Sequence, residues 1–187
     1  MLEIFNFLDK YTGVLQAIGT MLAAITSIFA IVVSIITYES QRRFNVNSVK
    51  PILNIVFGDY ETHIFIRVHN NGLGPAIIKN LQCENIKNEK ANSVIELIPQ
   101  EIIIKTQMGS KIVNLHSFND FVESIEGRVI APDNEITLVS YTPTDALDIQ
   151  GIRQILKDLV IRVDYADIYD NKQSSCIRDC KWFGRTL

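Results

Sequence analysis

Between Tyr11 and Tyr38 the chain runs for 28 residues, YTGVLQAIGTMLAAITSIFAIVVSIITY, without an Asp, Glu, Lys or Arg. A helix needs about 20 apolar residues to cross the ~30 Å hydrocarbon core of a bilayer, so this run is long enough even when tilted. No other feature constrains the fold as much. In lipid a lone segment must satisfy its own backbone groups, and only a helix does so. A core helix of a soluble domain is shorter and carries a polar stripe. A cleaved signal peptide has a basic start and a shorter apolar run, whereas the leader MLEIFNFLDK, residues 1–10, sets Glu3 and Asp9 against Lys10. A helix lying on a membrane surface needs a charged face, which is missing. Residues 11–38 are therefore read as one membrane span.

The flanks suggest a direction. Tyr11 and Tyr38 bracket the run, where aromatic rings settle at headgroup level. Arg42 and Arg43 follow, then Lys50, against Lys10 and the terminal amine on the other side. Basic residues are retained on the cytoplasmic side, so the part after the span is expected in the cytoplasm. Three cysteines, Cys83, Cys176 and Cys180, form no disulfide framework. Free thiols suit a reducing compartment, although a Cys176–Cys180 bridge stays open.

Inside the span, Gly13, Ala17, Thr20, Ala24, Ser27, Ile31 and Ser34 follow a 4-3-4-3-4-3 spacing, and all but Ile31 are small. Small residues let helices approach closely in lipid, and a 3.5-residue period favours left-handed packing. The pattern is read as an oligomerisation seam, with a pore as its extreme form. Small and hydroxyl residues are also ordinary in any membrane helix, so lipid filler is the competing reading.

After a short linker, residues 39–50, residues 51–187 are enough for one domain with its own core. The net charge of −3 is spread without long runs, so an extended nucleic-acid surface is not expected. Alternation predicts strands at Ile52–Phe57, His63–Asn70, Glu135–Tyr141 and the stretch beginning at Ala76. Gly58-Asp59 reads as a turn, as does Asn70–Pro75. Leu159–Tyr169 and Ser175–Phe183 read as a final hairpin turning near Asp170-Asn171. Two short helices are expected. Ser117 would cap FNDFVESIEG, closed by Gly127, and Thr144 would cap DALDIQGIRQILKDL, weakened by Gly151. The expected architecture is an N-terminal transmembrane α-helix followed by a mainly-β sandwich or open barrel with two short helices.

No motif argues for catalysis, and neither a cofactor nor a metal is expected. There is no phosphate loop, nucleophile elbow or HExxH. Cys176-x3-Cys180 lacks a second ligand pair for zinc, since His63, His69 and His116 are scattered. Asp164, Asp167, Asp170 and Asp179 gather at the final hairpin, where Asp164 and Asp170 come together only across a turn. Solvated aspartates are the plainer reading. His69, Asn70, Gly72, Gly74 and Pro75 are the turn and ligand candidates.

HNNGLGPAIIKN resembles the N-x-G-x-G-P-A element of a set of poorly characterised bacterial proteins, in which one N-terminal span precedes a small immunoglobulin-like sandwich. VDYADIYDN resembles a strand motif of the same set, with Asp170 where a Gly is frequent. The layout is also similar to that of membrane effectors of anti-phage defence. That resemblance implies an inner-membrane protein whose cytoplasmic domain senses a cyclic nucleotide or a co-encoded protein partner. Its helix would then form a homo-oligomer that perturbs the bilayer. The alternative is a harmless membrane-tethered scaffold that recruits a soluble partner.

Overall fold

The computed structural model describes residues 2–185 apart from 61, 100, 107–108, 115–117 and 145, with the backbone alone described for 2–10, 105, 106, 109–111, 113 and 114. The chain divides into two units, residues 1–47 and 48–187.

The first unit is one helix, α1 (Leu2–Ser48). Its apolar part has a mean hydropathy of 2.3 over its best 18-residue window, and none of that window is buried. At 1.5 Å per residue the charge-free run alone is about 40 Å long. The helix is thus long and apolar enough to cross a membrane. It also continues through most of the expected linker. Residues 39–48 contain neither Gly nor Pro, so nothing stops the helix until the approach to Pro51, whose ring disfavours helical geometry in the residue before it.

The second unit is an antiparallel β-sandwich. Its strands are β1 (Leu53–Tyr60), β2 (His63–Asn70), β3 (Ala76–Asn85), β4 (Lys90–Ala91), β5 (Glu101–Thr106), β6 (Gly109–Asn114), β7 (Phe118–Phe121), β8 (Val129–Ile130), β9 (Glu135–Tyr141), β10 (Leu159–Ala166) and β11 (Cys176–Asp179). One sheet has the order β1-β2-β9-β7 and the other β11-β10-β3-β4, with β8 also paired to β3, while β5 and β6 form a separate ribbon. Alternation sets the core as the sequence predicts. Ile64, Ile66 and Val68 of β2 are buried, and so are Ile78, Ile161 and Val163 of the facing sheet. Each such side chain contributes about 1.5–3 kcal/mol of burial. At the β1/β11 edge side chains replace a ladder. Arg178 donates to the Ile55 carbonyl at 2.5 Å and lies over the Phe57 ring at 4.7 Å, so the structure is a sandwich and not a closed barrel.

Two local expectations change. Gly58-Asp59 is not a turn, because β1 runs straight through it. Gly58 lies opposite Phe65, and a Cβ there would sit 2.1 Å from that ring, so the glycine makes room for an aromatic side chain. The expected helix after Ser117 is also corrected. Ser117 lies outside the described residues, and Phe118–Phe121 is strand β7 on the open edge of β9. Phe118 packs on Tyr141 there, ring centroids 5.2 Å apart, and this pairing overrides local helix spacing. Gly127 does take the left-handed conformation, φ 75°, but in a turn whose amide donates to Ile78. The second helix forms as α2 (Ala146–Leu156), with Leu159 already in β10. Its Asp148 carboxylate accepts the Thr144 amide at 3.0 Å and the Thr144 hydroxyl. Gly151 of α2 is a point of close approach, since a Cβ would lie 2.5 Å from the tip of Ile102.

Candidate functional site

The Asn70–Pro75 loop held most of the turn and ligand candidates, and Asn70, Gly72, Gly74 and Pro75 are occupied by architecture. Asn70 is fully buried. Its Oδ1 accepts from the amides of Ile52 at 3.2 Å and Gly72 at 3.0 Å. Its Nδ2 donates to the carbonyls of Gly74 at 2.8 Å and Ile130 at 3.0 Å. A carboxamide has two acceptor and two donor positions, and all are used. A Cβ on Gly72 would lie 2.4 Å from the Ile52 amide nitrogen, and one on Gly74 would lie 1.6 Å from the Val49 carbonyl oxygen. Pro75 leads directly into β3 and needs no amide partner. These four residues tie the start of β1 to β8. His69 stands apart from them. It donates through Nδ1 to Asn71, and its Nε2 lies 3.6 Å from the Asp133 carboxylate. With Asp133 and Glu135 it lines an open cleft of about 420 Å³.

The aspartates of the last hairpin have separate partners. Asp167 is buried and accepts from the amides of Tyr169 and Asn171, both at 2.9 Å, and from the Asn171 side chain at 3.0 Å. Burial pushes its pKa up, but the Asn171 and Tyr169 hydrogen bonds outweigh burial and hold it below the usual carboxylate range. Asp164 is held low chiefly by the Ser175 hydroxyl, against burial, with help from Arg162. Asp170 adopts φ 63°, the left-handed conformation in which glycine is frequent, and pairs with Lys79 at 2.7 Å. Asp179 pairs with Lys181 at 3.3 Å. Asp164 and Asp170 are thus engaged separately and do not form a proton-sharing pair.

All three cysteines are free. Burial pushes the Cys83 and Cys180 thiols up to about 12 and also raises Cys176, which is only half-buried. Among the described residues no group of three His, Cys, Asp or Glu is placed to hold a metal. His116 lies outside them.

Sequence reading missed a second concavity of the sandwich. A cleft of about 490 Å³ opens between the β3–β4 turn, the 3-10 turn Ile95–Leu97 and the end of α2. Leu97, Ile98, Ile102, Ile155 and Leu159 give it an apolar floor, and Lys87, Glu89, Glu96, Gln154, Lys157 and Asp158 a rim of both signs. Glu89 accepts from Asn85 at 2.6 Å and Glu96 from Ser93 at 2.8 Å. Small-molecule sites combine apolar walls with placed polar groups, and here the two kinds of side chain share the lining about equally. Its residues come from separated segments and share no motif.

On α1 the seam residues Gly13, Ala17, Thr20, Ala24, Ser27 and Ser34 are all exposed in the single chain. The hydroxyls bond back along the helix: Thr20 to Ala17 at 2.9 Å, Ser27 to Ala23 at 2.7 Å and Ser34 to Ala30 at 2.8 Å. Such back-bonding satisfies a hydroxyl donor in lipid without a partner helix. A straight helix drifts about 20° per heptad from a 3.5-residue seam, so the seam stays in register between helices that supercoil to the left.

Fold and candidate sites together define a class: an apolar helix of membrane-spanning length joined to an antiparallel sandwich that carries open clefts. The chain belongs to the family described as a domain of unknown function (DUF8453), whose model matches residues 15–183, most of the apolar helix included. No curated protein and no solved structure matches it.

Proposed function

We propose that this protein is a membrane-anchored sensor or effector. Its helix anchors it and assembles with other copies through Gly13, Ala17, Thr20, Ala24, Ser27 and Ser34, while its sandwich binds a ligand or a partner protein. The observation that carries the proposal is α1 itself, whose charge-free stretch is wholly exposed and presents small residues along one seam. A plain anchor needs only apolar length. The cleft of about 490 Å³ supports the ligand-binding part, and a cyclic nucleotide or a co-encoded protein remains the proposed signal. Arg42 and Arg43 support a cytoplasmic sandwich at the inner membrane. The anti-phage setting rests on resemblance of layout, and fold-level likeness is an associational argument.

Replacing Ala24 and Ser27 together with Leu tests the reading. The expected outcome is loss of crosslinked oligomers in membranes and of any growth arrest on induction, with the sandwich still folded. Unchanged crosslinking would refute the seam. Oligomers without growth arrest or a change in ion permeability would favour the tethered scaffold. Topology is read by an impermeant thiol reagent in intact cells. Cys83 and Cys180 are buried, so an exposed reporter such as Ile177→Cys is added, and protection from the reagent is expected.

A further inference from the structure

Among the described residues the ribbon β5–β6 has its own sheet and no third strand. Its inner face is held by α2, where Gly151 meets Ile102 and Ile104. On the outer face Ile103 and Ile112 stand opposite each other and are 66% and 59% exposed. The ladder runs to Thr106↔Gly109. A two-residue connection closes on a hydrogen-bonded pair, and the pairs then alternate. At residues 101, 103 and 105 the backbone N–H and C=O groups therefore point away from β6. Among the described residues no backbone hydrogen bond reaches β5 from outside the ribbon. Such an edge is a template for another strand.

The sequence of β5, Glu101-Ile-Ile-Ile-Lys105, is antisymmetric in charge about Ile103. We propose that β5 pairs antiparallel with β5 of a second copy, centred on Ile103, to give a four-stranded sheet β6-β5-β5-β6 across the dimer. In that register the free backbone groups at 101, 103 and 105 face those at 105, 103 and 101 of the other copy. Position 101 of each copy comes opposite position 105 of the other, so both cross-strand pairs join a Glu to a Lys. Opposite charges in facing positions stabilise a sheet and like charges destabilise it. Parallel pairing in register would set Glu101 near Glu101 and Lys105 near Lys105. The charge pattern therefore chooses both the orientation and the partner, a second copy of this chain. The contact is independent of the seam in α1.

Crosslinking of the full-length protein in membranes tests it, with Cys176→Ser as the background and a thiol reagent spanning about 5 Å, the Cβ separation of facing residues. Ile103→Cys is expected to crosslink to a dimer. Ile112→Cys is expected not to, because three strand spacings place the two copies of residue 112 about 14 Å apart. Glu101→Lys is expected to cut the Ile103→Cys dimer about fivefold or more, since it sets like charges opposite twice. Adding Lys105→Glu is expected to restore it. Equal crosslinking at 103 and 112, a ladder of higher species, or no effect of Glu101→Lys would overturn the proposal. The seam stays wild type throughout, so loss of this contact and loss of contact within the span are read separately.

Discussion

Asn70 shows how a residue can be legible in position and misread in role. The sequence marks it as the pivot of a tight loop, and the same pattern of Asn, Gly and Pro invites a ligand. Only the fold shows that its carboxamide is used up by Ile52, Gly72, Gly74 and Ile130, because three of these partners lie in other segments or across the loop. Asp167 is the parallel case in the last hairpin. Its folded pKa lies below the ordinary, unfolded value. A depressed carboxylate contributes stability that is present above the unfolded pKa, about 3.9, and is lost as pH falls through the folded pKa. Stability is therefore expected to decline below about pH 4–5, and Asp167→Asn should flatten that decline while weakening the fold at pH 7. Urea unfolding of the detergent-solubilised chain between pH 3 and 7 measures this, using Trp182, the single Trp, which packs 6.0 Å from Phe57. An unaltered acid limb in the variant would contradict the assignment.

At the scale of elements, period-two alternation made β2, β3 and β10 legible, because each buries chiefly one face and its side chains report that burial. β7 was not legible, since Phe118 and Phe121 are spaced i, i+3 as on a helix face and the open edge of β9 decides. The separate ribbon and the cleft beside it were hidden for a similar reason: both depend on where α2 lands. One ion pair helps to fix that placement, beside the buried Ile152 and Leu156 of α2. Arg153 of α2 contacts Asp59 Oδ1 through two nitrogens, at 3.0 and 2.7 Å. The Asp59 side chain is 1% exposed, and among the described residues its other oxygen has no hydrogen-bond partner. Removing one member of a buried pair strands the other charge and costs about 3–5 kcal/mol. Arg153→Ala is expected to approach that cost, discounted because Arg153 is a quarter exposed. Asp59→Leu with Arg153→Leu should recover most of it, as apolar replacements of buried pairs often do. Urea midpoints of the two variants decide. Equal losses in both would show that packing, not the stranded charge, sets the position of α2.

For the molecule as a whole, two properties were legible from the start, an apolar helix of spanning length and a mainly-β unit after it. The helix was plain because 28 residues without a charge have few other solutions in water or lipid. The loop histidine, the hairpin aspartates and the cysteines each make hydrogen bonds, ion pairs or core contacts. What distinguishes the chain is the helix, whose small residues repeat at a period that a plain anchor does not require. The central claim is that this face is a contact between copies. Single cysteines placed in turn at residues 20 to 34, in a Cys176→Ser background and carbonate-washed membranes, test it most directly. The account predicts disulfide-linked dimers that peak at 20, 24, 27, 31 and 34 and fall between them. A flat profile, or peaks on the opposite face at 22, 25 and 29, would contradict it.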